Sequence, residues 1–540
     1  MTGTDLDTLL IGIDAGCLPV FERLFDDGRL PTLRSLCEDG FCAPLKSQIP
    51  PWTPSAWPSV YTGVNPGKHG VYGFVTYDGY DWRVVTAEDV SEFTIWELLD
   101  RHGLTSVVVN GPVTAPPPAI DGAVVPGFMS CEDPTCHPEG VLDEVRDEIG
   151  AYRVYPAYHT DDDAYTDEEK CREYRNLVRM RGDAFTYLVD RFAPDFGFVQ
   201  FQRSDTVFHE FDGDWDVVQP VYDAMDETIA TVLDETDPDR VFLASDHGMG
   251  TYERAQFRVN DYLRDEGFVS ATKGGKGMPG WSPIRQRLRQ GETTETWEPS
   301  AVERIAAGAA SVGLTANRVR AALERVNLAD TVSEYLPSNV SRTGSEQVDF
   351  AESTAYLRSR TELGVRINLE GREPDGVVPQ SEYETVREDL VDSLRSATAP
   401  CGDPVFETVG PREDFFHGPK TDAAVDVVVV PNDFQHFLSD QLSGDPFGDR
   451  KTRWNHKRNG VFVACGDGID ADAEASPHLF DVAPTVLASL GVPPSDRMDG
   501  TVLPVTDPVS PDPYPSYDAR HAEVDSPDVE DRLARLGYLE

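Results

Sequence analysis

Residues 7–16, "DTLLIGIDAG", place five apolar or glycine positions, Leu9 to Ile13, directly before a single carboxylate, Asp14. A continuous apolar run of this length reads as a strand buried on both faces. An unpaired buried charge is expensive, so Asp14 needs a partner. If the run is the first strand of an α/β sheet, Asp14 stands at its carboxyl end, where such sheets bind ligands.

Working outward, the same kind of run recurs at "SVVVNG" (106–111), "DFGFVQFQ" (195–202), "RVFLASD" (240–246), "VDVVVVP" (425–431) and "GVFVACG" (460–466). Helical patterns separate them, such as 94–103, 169–192 and 221–236. Strand and helix in alternation predict a mainly parallel central sheet with helices on both faces. The alternation breaks between 266 and 347, where "TKGGKGMPG" and "RQGETTETWEPS" precede an Ala/Arg-rich helical stretch. This span reads as an inserted smaller cap with a loop at its entry. The expected organisation is therefore a catalytic core from 1–265 and 348–505, the cap at 266–347, and a Pro/Asp-rich wrap or tail at 506–540 that ends in a short helix.

Charge narrows the function classes. The 540 residues carry 95 Asp and Glu against 47 Lys and Arg, for a formal net charge of −48. The acid is spread along the chain rather than gathered in a tail, and 39% of residues are hydrophobic, so disorder fits poorly. Diffuse acid with few lysines resembles the composition of proteins from salt-loving archaea, where salt screens the self-repulsion. It argues against nucleic-acid polymers and anionic membranes as partners. No basic leader and no apolar run long enough to span a bilayer are seen, so a soluble cytoplasmic protein is expected. Eight cysteines in so long a chain do not make a disulfide framework. Cys131, Cys136 and His137 have the spacing of half a zinc site, but no second half follows them.

Three clusters hold residues suited to chemistry. In "PPWTPSAWPSVYTGVNPGKHGVYGF" (50–74), Thr53 precedes Pro54 and a helix start. A hydroxyl there suits an N-cap, and it equally suits a nucleophile facing a phosphate at the positive end of a helix. In "FQRSDTVFHEF", Asp205 and His209 are spaced i, i+4, which puts both on one helical face. The plainer reading is a surface ion pair; the chemical one is a shared cation. In "LASDHGMG", a buried strand ends in Asp246 and His247, and later "RWNHKRNGVFVACG" puts His456 just before another strand. Asp14, Thr53, Asp205, His209, Asp246, His247 and His456 together are the inventory for two divalent ions and a nucleophile. Nitrogen and oxygen ligands without thiolate favour zinc, with manganese as the alternative.

In that order, these residues resemble the alkaline phosphatase superfamily, and more closely the type I phosphodiesterase/nucleotide pyrophosphatase family. The resemblance extends to Thr62, Gly63, Pro66, His69 and Gly70 and to "HLFDVAPTVLASLGVPPSDRMDG" (478–500). It implies an alkaline-phosphatase-like fold and a metal-dependent phosphohydrolase acting on a small phosphorylated substrate. Asp14, Thr53, Asp246 and His247 would hold one metal, and Asp205, His209 and His456 the other, which serves the leaving or attacking oxygen. Thr53 would attack phosphorus and form a phosphothreonine, which water then hydrolyses from the opposite side. His69 matches a structural turn and is left out of the metal set. The sequence departs from the family where an asparagine would follow that histidine. Gly73 and Phe74 stand there, leaving Asn65 or the Thr53 backbone N–H as candidate phosphate donors.

Rivals on the same fold are weighed residue by residue. A sulfatase needs Cys/Ser-x-Pro-x-Arg, which Thr53 to Trp57 lacks. A cofactor-independent phosphoglycerate mutase needs a serine nucleophile and a larger insert. A phosphomonoesterase or phosphonate hydrolase would use the same core, and a non-catalytic relative would bind an anion or a partner without turnover. Lys273, Lys276 and Arg285 in the cap are candidate anion contacts, or simply solvated cations.

Overall fold

The computed structural model describes residues 6–158, 165–273 and 346–517. Seven strands form the central sheet: β1 (Thr8–Ile13), β2 (Phe41–Lys46), β3 (Ser106–Gly111), β4 (Gly122–Pro126), β5 (Phe196–Phe201), β6 (Arg240–Ala244) and β7 (Asn459–Gly466). Their order across the sheet is β2-β7-β6-β1-β5-β3-β4. β1 pairs in parallel with β5 and β6, and β3 pairs in parallel with β5 and β4. Only β7 runs against its neighbours, β2 and β6. The sheet is thus mainly parallel, as the alternating pattern predicts, and β1 lies at its centre with every residue buried.

Register places the site. Ile13 lies opposite Phe201, and Gly12 lies opposite Ala244. The residues that leave these three strands therefore emerge side by side at one edge: Asp14 after β1, Ser204 and Asp205 after β5, and Asp246 and His247 after β6. The helices α1 (Thr53–Thr62), α2 (Asp167–Phe192), α3 (Arg203–Phe211) and α4 (Trp215–Thr236) supply much of the cover. Gly12 is required by its neighbours: a Cβ there would stand 2.6 Å from the Trp57 ring on α1 and 3.0 Å from the Gln200 side chain.

The "VDVVVVP" run departs from expectation. It forms a strand, Val427–Pro431, but in a separate four-stranded sheet, where it pairs antiparallel with Gly364–Ile367 and Phe406–Pro411. That sheet and the helix α5 (Tyr383–Ser396) enclose a second hydrophobic cluster, from Tyr252 to Leu442 with Ile49 and Tyr72 added from the first half. A strand buried on both faces reads the same whichever sheet it joins, so its sequence did not betray the second lobe.

Most of the expected cap, with Lys276 and Arg285, lies outside the described residues, as does the terminal helix of the tail. The ends of the inserted span are described. Ala271–Lys273 pairs antiparallel with Glu346–Val348, Lys273 opposite Glu346. No cysteine forms a disulfide. The Cys131 and Cys136 thiols turn onto nearby backbone carbonyls of Asp133 and Pro134, and His137 Nε2 meets the Ile120 carbonyl at 2.8 Å. Among the described residues, no helix is long and apolar enough to cross a membrane.

Candidate metal and nucleophile site

Thr53 is the first residue of α1, and Trp52 occupies the N-cap position without a side-chain cap bond. The threonine hydroxyl is thus not spent on capping. It lies 3.3 Å from Asp14 Oδ1 and 3.4 Å from His247 Nε2, fully buried and at the positive end of the helix.

Around it, the carboxylates are held on one side and open on the other. Asp14 Oδ2 accepts from Trp57 Nε1 at 3.2 Å and from Gln200 Nε2 at 2.9 Å. Asn110 Nδ2 donates to Gln200 Oε1 at 2.8 Å and so fixes which way that amide faces. Asp246 Oδ1 accepts from the Ala15 backbone N–H at 3.2 Å, while its Oδ2 accepts no hydrogen bond. The His247 ring turns Nδ1 to the Gly248 carbonyl at 3.1 Å and Nε2 toward Asp246 Oδ2 at 3.2 Å.

His456 arrives by a local pairing. The strand Trp454–Lys457 lies antiparallel to Gly248–Thr251, with His456 opposite Met249. The His456 and His247 rings stack with centroids 3.7 Å apart. His456 Nδ1 faces the Pro51 carbonyl at 3.1 Å, which leaves Nε2 toward Asp205 Oδ1 at 3.3 Å. His209 Nε2 comes within 3.1 Å of the same oxygen and 2.9 Å of His456 Nε2. All seven positions picked from the sequence therefore converge. Two ligand groups, Asp14 with Asp246 and His247, and Asp205 with His247 and His456, each bring their donor atoms within 4.8 Å of one another.

The electrostatics of the site suits a cation. Burial, and then the charges of Asp246 and Asp205, push the Asp14 carboxyl well above its ordinary range. Burial and Asp205 do the same to Asp246. Burial also opposes the Asp205 charge, but the His209 and His456 imidazoles outweigh it and hold that carboxyl low. Burial, with repulsion from His456, keeps His247 neutral. Three buried carboxylates and neutral imidazoles turned by backbone carbonyls are a donor set for divalent metal. The open Asp246 Oδ2 is a lone pair that such an ion would use.

Two sequence-level expectations are settled by partners. Asn65 Oδ1 accepts from Gly67 N, while its Nδ2 donates to the His417 carbonyl at 2.9 Å and to Asp499 Oδ2 at 2.8 Å. It is committed to its own turn and is no phosphate donor. His69 is buried between the Ser59 hydroxyl at 2.9 Å and the Val71 N–H at 3.2 Å, a structural role. The missing asparagine leaves no gap: a Cβ on Gly73 would meet Thr361 Oγ1 at 3.1 Å. Sequence reasoning overlooked Trp57, Gln200 and Asn110. The signal for Gln200 was an amide inside the apolar strand "FGFVQF", and Trp57 lies one helical turn beyond Thr53.

The family model described as type I phosphodiesterase/nucleotide pyrophosphatase matches residues 8–461. No curated protein matches the chain. Among solved structures, phosphonoacetate hydrolase from Sinorhizobium meliloti 1021, in complex with phosphonoacetate, aligns with a TM-score of 0.53 at 15% identity, covering 90% of this chain and 95% of that one. The alkaline phosphatase PafA aligns at 0.49 and 13% identity, over 91% and 96%. Human ectonucleotide pyrophosphatase/phosphodiesterase 5 aligns at 0.48 and 12%, over 93% and 97%. At these identities the first of these likenesses speaks to the fold.

Proposed function

Because the chain belongs to the type I phosphodiesterase/nucleotide pyrophosphatase family, a family of phosphoric ester hydrolases, we propose that it cleaves phosphodiester or pyrophosphate bonds with Thr53 as nucleophile and two divalent cations, zinc first and manganese as the alternative. The observation that carries this reading is the threonine hydroxyl set between Asp14 and His247, where two ligand groups share His247.

Asp14, Thr53, Asp246 and His247 would hold one ion, and Asp205, His209 and His456 the other. When bound, the ions supply Lewis-acid charge that offsets the negative charge of the phosphoryl group and lowers the pKa of a hydroxyl. The chain does the rest. Trp57 and Gln200 fix the Asp14 carboxylate, whose other oxygen orients the Thr53 hydroxyl. The Thr53 oxygen forms the bond to phosphorus as the bond to the leaving oxygen breaks. The helix start at Thr53 adds favourable backbone dipoles. Water excluded by burial cannot compete with the hydroxyl in the first step. The second lobe and the inserted segment would shape the pocket for the leaving group, and the acidic composition fits a cytoplasm rich in salt.

The test is hydrolysis of bis-p-nitrophenyl phosphate against p-nitrophenyl phosphate, with added zinc or manganese, by wild type and Thr53→Ala. Faster diester cleavage, reduced at least ~10³-fold in the variant, is expected. Faster monoester cleavage moves the assignment to a phosphatase. The fold likeness to phosphonoacetate hydrolase makes phosphonoacetate the third substrate to assay. No turnover, together with no bound metal, leaves an anion-binding relative.

A further inference from the structure

A cavity of about 80 Å³ lies between the second lobe and the hairpin formed by Val75–Asp78 and Asp81–Val84. That is several times the ~10–15 Å³ that one water needs. Tyr77 lines it from the hairpin, and Arg358, Glu362, Arg366, Arg372 and Glu373 line it from the lobe. Arg358 and Arg366 are only 7% and 6% exposed. Neither Thr53 nor any member of the two ligand groups around it belongs to this wall.

The bonds within the wall leave two nitrogens over. Arg358 donates Nε and Nη2 to the Glu362 carboxylate at 2.7 and 2.6 Å, and Nη2 also reaches the Ala423 carbonyl at 3.3 Å. The Tyr77 ring covers the face of its guanidinium, with the centroid 4.1 Å away, and leaves the edge open. Arg366 donates Nε to Glu373 Oε1 at 2.8 Å, and Nη1 to the Ala424 and Asp422 carbonyls at 2.6 and 3.4 Å. Among the described residues, Arg358 Nη1 and Arg366 Nη2 have no hydrogen-bond partner. Arg372 differs: all three of its nitrogens are engaged, by Glu373, Asp426 and the Ile367 carbonyl.

Charge points the same way. Arg358, Arg366, Arg372 and Arg412 share three buried carboxylates, Glu362, Glu373 and Asp426. The other acids paired with Arg412 are Glu413 and Asp422, whose side chains are 50% and 95% exposed, where pairing contributes little. Burial, and then the charge of Arg358, lowers the Arg366 pKa. Two buried guanidiniums that repel each other across a cavity gain from an anion between them. We propose that this cavity binds one small oxyanion of the phosphate or sulfate class, gripped by Arg358 Nη1 and Arg366 Nη2. Donors from two guanidiniums suit an ion with several acceptor oxygens. Bound there, the ion ties the hairpin to the second lobe. The site is separate from the Thr53 chemistry and does not depend on it.

The test uses the full chain treated with chelator, so that no metal at the Thr53 site recruits the ion. Sulfate replaces chloride at constant ionic strength, which keeps the screening of the −48 charge fixed. Exclusion of sulfate from a protein surface stabilises without saturating, so saturation is what reports binding. The thermal midpoint is expected to rise and then level off. In Arg366→Met, half-saturation should need at least ~tenfold more sulfate, and Arg366→Lys should lie between. Crystals soaked in selenate should show anomalous selenium density between Arg358 and Arg366, which locates the ion without any variant. A midpoint that rises without levelling off, or selenate density absent from the cavity, overturns the site. Unchanged half-saturation in folded Arg366→Met does the same. Density from bromide but not from selenate overturns the oxyanion class. If Arg366→Met does not fold, the wild-type titration and the selenate density decide.

Discussion

His69 shows how far one side chain decides its surroundings. Its Nδ1 accepts from the Val71 N–H, so the proton sits on Nε2 and is donated to Ser59. Burial lowers its pKa to about 3, and the ring stays neutral in the folded protein. A histidine with a depressed folded pKa contributes stability above its unfolded value of about 6.5, and that contribution is lost as pH falls toward 3. Denaturant titrations at pH 7 and pH 5 should differ by about 2 kcal/mol from this residue. His69→Ala should cost about 2–4 kcal/mol at pH 7 through the cavity and the two orphaned partners. Its metal content should not change. At this scale the sequence was informative where a residue follows a buried strand, as Asp14 and Asp246 do, and where two donors share a helical turn, as Asp205 and His209 do. It was silent where the partner is distant in the chain. Nothing near Asn65 announces that Asp499 and His417 occupy its side chain.

Elements carry the site through register. Because Gly12 faces Gln200 and packs beneath Trp57, the strand that presents Asp14 also sets both donors to its carboxylate. Gly12→Ala should therefore destabilise the fold by about 1–3 kcal/mol through overpacking. It should also weaken metal binding about 10–100-fold by moving the groups that orient Asp14. Equilibrium unfolding and a zinc titration separate the two effects; a stability loss with unchanged affinity would mean that Trp57 moves without Asp14. The parallel sheet was legible because four consecutive apolar runs each end in a turn or polar residue at the same edge. The antiparallel lobe was not, because Val427–Pro431 has the same buried pattern as β6.

For the whole molecule, charge is the dominant condition. A net charge of −48 repels itself in dilute buffer. Raising sodium chloride from about 0.1 M to about 2 M should raise the melting temperature as screening shortens the range of that repulsion. The candidate metal site adds a second, pH-dependent term. Asp14 and Asp246 have folded pKa values above the ordinary 3.8, so in metal-free protein their contribution is complete below that value and is lost as pH rises through the folded values. Metal needs both as carboxylates. The difference in melting temperature between metal-loaded and chelated protein should therefore widen from pH 5 to pH 8. A constant difference would place the ions away from these two acids.

The pairing of Ala271–Lys273 with Glu346–Val348 has an architectural consequence. Lys273 and Glu346 sit across from each other in a ribbon, so everything between them leaves and re-enters the lobe at one point. A two-residue hairpin turn spans such a gap. The register of these two strands therefore makes no demand on the length of what joins them, and replacing 274–345 by Asn-Gly is expected to leave the pairing of Ala271–Lys273 with Glu346–Val348 in place.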